Sequence, residues 1–188
     1  MEILDVVDEN GIPTGETVER KKAHREGIPH RTAHVWIMKE GTNLILLQKR
    51  SADKDSYPGC LDISSAGHIP AGCEVVDSAI RELQEELGIS VSPGQLHFCG
   101  KRKFSFCDTF HGRAFRDRQV SSVFLVRLDI EKDEMRLQKE EIEDVVWMDF
   151  EECVRMVKEN TGKHCIAMEE LEMLRAYMQN EDKGKLLR

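Results

Sequence analysis

Residues 67–89 constrain this 188-residue chain more than any other stretch. Val76, Ala79, Ile80, Leu83 and Leu87 recur at the i, i+3, i+4, i+7 spacing of a helix that buries one face. At about 100° per residue, Glu82, Glu85 and Glu86 share an arc of roughly 100° beside that stripe. Carboxylates held that close raise one another's pKa unless a cation neutralises them. A hard divalent ion that prefers oxygen ligands, Mg²⁺ or Mn²⁺, meets that need. For an acidic triplet taken alone, the ordinary alternative is a solvated helix face with Arg81 paired to Glu85 or Asp77.

A chain of 188 residues can bury one substantial core, so a single domain over residues 1–188 is expected. Its net charge of −8 and lack of a long basic run argue against double-stranded nucleic acid as a partner. Lys101-Arg102-Lys103 is the densest basic cluster and reads as a solvated strand end. The acidic start, Met1-Glu-Ile-Leu-Asp, carries no signal-peptide pattern. No apolar run approaches the ~20 residues a membrane span needs. The cysteines at 60, 73, 99, 107, 153 and 165 form no CxxC pair, which suits reduced thiols and a cytoplasmic location. Oligomeric state stays open, with a homodimer compatible.

Mixed α and β structure is expected. The first twenty residues read as a β-hairpin turning at Glu9-Asn10-Gly11, and residues 21–27 as about one helical turn. Strands are expected over 30–38, 44–48, 97–106, 120–128 and 143–148. Residues 49–66 read as one long loop, and 108–119 as a polar connection. Two amphipathic helices, about 150–180, close the chain, their Leu and Met stripes packing on the core.

The pattern of residues 67–89 resembles the Nudix box: Gly, five residues, Glu, seven residues, Arg-Glu, an aliphatic, one residue, Glu-Glu, one residue, Gly, an aliphatic. Gly67, Arg81, Glu82, Leu83, Glu85, Glu86, Gly88 and Ile89 match it. At ~7% usage per residue type, six fixed identities coincide in about one window in ten million. Cys73 stands where the box has its first glutamate, with Glu74 one place later. In the family that glutamate braces the loop, so Asp77 or Glu74 is expected to take over the contact with Arg81.

Further motifs, His30-Arg-Thr-Ala-His34-Val-Trp36, Leu46-Leu47-Gln48-Lys49-Arg50-Ser51, Tyr57-Pro58-Gly59 and Asp62-Ile-Ser-Ser-Ala66-Gly67-His68, resemble the Nudix branch related to isopentenyl-diphosphate isomerase and to the Nudix domain of plant Nudix-peptidase proteins. The resemblance implies an α/β (α+β) fold, the Nudix α/β/α sandwich with a mixed sheet. It implies a metal-dependent hydrolase of a diphosphate bond in a nucleoside diphosphate linked to another group, so a small-molecule partner. Glu82, Glu85 and Glu86 would hold Mg²⁺ or Mn²⁺. Glu85 or Glu86, with Arg81, would serve catalysis, although Glu140, Glu141 or Glu143 could supply the base from a late loop. Arg50, Lys54, Gly67 and His68 would bind substrate, and His24, His30 and His68 are candidates for a second metal or for ordinary hydrogen-bonded structure. Two other readings stay open: an isomerase-like enzyme, which Ala66 disfavours because a methyl group moves no proton, and a nucleotide-binding module without catalysis. Phe106, Phe110 and Phe115 could stack on a base or pack under the loop.

Overall fold

The computed structural model describes residues 2–54, 56–110 and 112–186. It begins with an antiparallel hairpin of β1 (Ile3–Val7) and β2 (Pro13–Glu19), followed by α1 (Arg20–Glu26), which stops at Gly27 in the left-handed region, φ 70°. β3 (His30–Lys39), β4 (Leu44–Arg50), β5 (Leu61–Asp62), β6 (Ser65–His68), β7 (His97–Phe110), β8 (Arg113–Leu128) and β9 (Ile142–Asp149) build a mixed sheet. Its order is β5-β4-β3-β8-β7, with β6 beside β3 and β9 beside β4. Among the described strand pairs only β3–β8 is parallel, running from His30↔Gln119 to Lys39↔Leu128.

Strict alternation along β3 divides the core. Ala33, Val35 and Ile37 face α2 (Val75–Leu87), where Ala79, Leu83 and Leu87 are fully buried. Trp36 and Met38 face α3 (Phe150–Glu159) and α4 (Met168–Leu186) through Phe150, Leu171 and Leu174. The result is the expected α/β/α sandwich with an N-terminal hairpin. Leu83→Ala is expected to cost about 3 kcal/mol in chemical denaturation, the usual cost of emptying a leucine-sized site. A loss below about 1 kcal/mol would contradict this packing. Among the described residues no helix is long and apolar enough to cross a membrane.

Two connections are more ordered than their composition suggests. Residues 49–66 were expected as loop, yet they contain β5 and the start of β6. Ser65, Ala66 and Gly67 lack strand propensity, but pairing with β3 overrides it. Ser64 Oγ accepts from Ile37 N–H at 2.7 Å and donates to the Leu46 carbonyl at 2.6 Å. The supposed polar connection 108–119 is largely a long β7–β8 arm, with Phe106↔Asp117 and Asp108↔Phe115 in register. Ladder hydrogen bonds hold the arm, so its outward polar side chains hide it from a search for buried alternation.

Candidate active site

The apolar stripe of α2 sets where its carboxylates go. With Leu83 and Leu87 against the sheet, Glu82 and Glu86 turn toward β6 while Glu85 stays half-exposed. Glu86 is 5% exposed, and Ser65 Oγ donates to its Oε2 at 2.6 Å. Burial pushes the Glu86 carboxyl up to about 8 despite that bond. Burial also raises Glu82, against the pull of Arg81. A Cβ on Gly67 would overlap the Glu82 carboxylate, so only glycine lets β6 lie this close. Gly88, φ 70°, ends the helix by donating its N–H to the Gln84 carbonyl.

Arg81 donates to Glu82 Oε1 at 2.6 Å, to Glu85 Oε2 at 2.8 Å and to the His68 carbonyl at 3.3 Å. The expected contact with Asp77 or Glu74 is not the one made. The guanidinium turns instead to the buried Glu82 charge and to Glu85 one helical turn on. Bracing of the box loop falls to a pair absent from the motif. Asp5 Oδ2 accepts from Arg31 at 2.9 Å and from Gly72 N–H at 3.0 Å, while Arg31 also donates to the Cys73 carbonyl at 3.2 Å. Cys73 contributes its backbone, which any residue could supply.

Arg50 and Lys54 are both engaged with protein groups. Arg50 donates to Asp62 Oδ2 at 2.9 Å and twice to the Ser56 carbonyl, fixing the loop after β4. Lys54 pairs with Glu141, and both charges act on Glu86. That singles out Glu141 among the late-loop acids, since Glu143 pairs with Lys49 at the surface. Tyr57, in the left-handed region at φ 49°, lays its ring 5.5 Å from Phe106. Phe115 lies 4.8 Å from the His24 ring, and the Phe110 side chain falls outside the described residues.

Among the described residues, one group of three metal-ligand side chains brings its atoms within 4.8 Å of one another, and it is His24, His30 and His68. They come from α1, the start of β3 and the end of β6. Their ring centroids are 5.1 Å apart in every pair, and His24 Nε2 lies 3.2 Å from His68 Nε2. Burial lowers all three, His24 to about 3, so the rings are neutral near pH 7. His30 Nδ1 must carry the proton it donates to the Ile28 carbonyl at 2.9 Å, which leaves Nε2 as a lone pair. That lone pair faces Asp117 Oδ1 at 3.6 Å, and His24 Nε2 is 3.9 Å from the same oxygen. Both His30 Nε2 and Asp117 Oδ1 are buried without a hydrogen-bond partner. An imidazole nitrogen and a carboxyl oxygen buried face to face without a partner suit a cation between them. Asp117 was missed in the sequence; it lies on β8 opposite Phe106 of β7, in the segment read there as a polar connection.

The NUDIX domain model matches residues 28–171. Nudix hydrolase 3 of Arabidopsis thaliana is 42% identical over 80% of this chain, although the match covers only 20% of that protein's length. An uncharacterized Nudix hydrolase of Clostridium acetobutylicum is 35% identical over 83% of this chain and 74% of its own. A crystal structure from Deinococcus radiodurans shares the fold at a TM-score of 0.67 and 20% identity, over 94% of this chain and 99% of that one. Box, fold and relatives agree: the chain belongs to the Nudix hydrolases.

Proposed function

We propose that the chain hydrolyses the diphosphate bond of a nucleoside diphosphate joined to another group, using Mg²⁺ or Mn²⁺ at Glu82 and Glu86, with Glu85 completing the set. The observation that carries this is Glu86: a carboxylate 5% exposed, raised to about 8, beside a second raised carboxylate. That is a costly arrangement for bare protein and a natural one around a divalent ion. When bound, the ion would neutralise charge building on the phosphate oxygens and acidify a water. The rest falls to the chain. Glu85 or Glu86 accepts the water's proton as its oxygen attacks phosphorus and the bridging P–O bond breaks, releasing two phosphomonoesters. Arg81 holds Glu82 and Glu85 in place, and Glu141 is the late-loop alternative for the base. Gly67 keeps the β6 backbone close to the cluster, and Arg50 and Lys54, with His68 where it does not hold a cation, complete the phosphate-binding wall.

His24, His30 and His68, with Asp117, form a second cation site in this reading. The same cluster is what favours an isomerase-like alternative, against which stands the Ala66 methyl group. One experiment separates the readings: nucleoside diphosphate sugars, dinucleotides, nucleoside triphosphates and isopentenyl diphosphate, incubated with Mg²⁺ or Mn²⁺ and analysed by mass spectrometry. Metal-dependent phosphomonoester products are expected. An intact but rearranged diphosphate would indicate isomerisation, and tight binding without products a sensing module.

A further inference from the structure

His34 belongs to a line of polar contacts running from α4 to the His–Asp cluster. Glu170 is 1% exposed. Its Oε1 accepts from His34 Nδ1 at 2.8 Å and its Oε2 from Trp36 Nε1 at 2.9 Å. His34 Nε2 lies 3.3 Å from Thr32 Oγ1. Thr32 Oγ1 lies 2.8 Å from Ser121 Oγ and 3.3 Å from Gln119 Oε1. Gln119 Nε2 then donates to Asp117 Oδ2 at 2.6 Å. The sheet supplies this line: His34 and Thr32 share a face of β3, and Thr32↔Ser121 and His30↔Gln119 are register pairs with β8.

We propose that Glu170 is a positioning residue for the His–Asp cluster, acting through His34, Thr32 and Gln119 to fix the orientation in which Asp117 turns Oδ1 toward the three imidazoles. The inference rests on the reading of that cluster as a cation site. The contacts make the case. Glu170 Oε1 accepts from His34 Nδ1–H, which fixes the ring and turns Nε2 toward the Thr32 hydroxyl. Burial disfavours a charged ring, but Glu170 outweighs it, with Asp62 helping and Arg102 opposing, and raises His34 from its ordinary value. Thr32 Oγ1 is held between His34, Ser121 and Gln119 Oε1. With its oxygen turned to Thr32, the Gln119 amide presents its NH₂ to Asp117 Oδ2. Oδ1 is thereby left for the imidazoles.

Co²⁺ alone serves as the probe, read by its visible absorption and by titration on the full chain, with melting temperature measured alongside. Thr32→Val keeps the side-chain shape and removes the hydroxyl. It is expected to weaken Co²⁺ binding by about 10- to 100-fold, the usual cost of losing a group that orients a metal ligand, and Thr32→Ser should restore it. Glu170→Gln should weaken binding similarly, because one amide oxygen cannot accept from both His34 and Trp36. Wild-type affinity in Thr32→Val and Glu170→Gln would overturn the inference while leaving the cation site standing. Co²⁺ binding by the wild-type chain that His30→Gln does not change would overturn the cation site itself, and this inference with it.

Discussion

Glu86→Gln is expected to lower diphosphate hydrolysis by about three orders of magnitude, the equivalent of several kcal/mol of lost charge stabilisation, while the fold survives. Glutamine keeps the volume and the Ser65 contact but removes the charge that would hold a cation. The same variant carries a stability signature. In EDTA, the folded chain keeps a proton on Glu86 up to about 8, whereas the ordinary glutamate value is 4.5. Between those values the unfolded chain binds fewer protons, so the Glu86 contribution makes stability fall as pH rises. Melting curves in EDTA should therefore show wild type losing ground to Glu86→Gln from pH 5 to pH 8 (about the span of the two pKa values), and Mg²⁺ should reverse that loss. Undiminished turnover by the variant would remove the proposed role of this carboxylate.

Gly67→Ala should also be damaging, by a different route. The Gly67 backbone is not among the chain's positive-φ glycines, so alanine brings no backbone strain. Its methyl group would instead occupy the space of the Glu82 carboxylate. A displacement of about 1 Å in a catalytic group costs on the order of 100-fold in rate, and here it would come with weaker metal binding at an almost unchanged melting temperature. An alanine variant with wild-type kinetics would show that the Glu82 carboxylate need not lie against β6.

Much of this was legible in the sequence because α2 writes its role twice, once in the spacing of Val76, Ala79, Ile80, Leu83 and Leu87, and again in the box identities. Both signals are local, so they survive without knowledge of the fold. The pair Asp5–Arg31 was not legible, since 26 residues separate its members and no motif contains both. Asp117 was hidden differently. It lies on an arm whose pairing does not announce itself in composition, and its proximity to His24 and His30 exists only once β8 is laid beside β3. β6 escaped because serine, alanine and glycine become a strand only when a neighbour offers its edge.

The parallel registration of β3 and β8 has an implication for how such chains can diverge. Because successive side chains along a strand face opposite ways, a single-residue deletion between Asp117 and Val120 would send the aspartate to the far side of the sheet. Length changes beyond Phe115, toward the end of the arm, shift nothing in that alignment. Indels are thus tolerable at one end of the same strand and ruinous a few residues away, so variation among descendants should accumulate at the tip and leave the stem untouched.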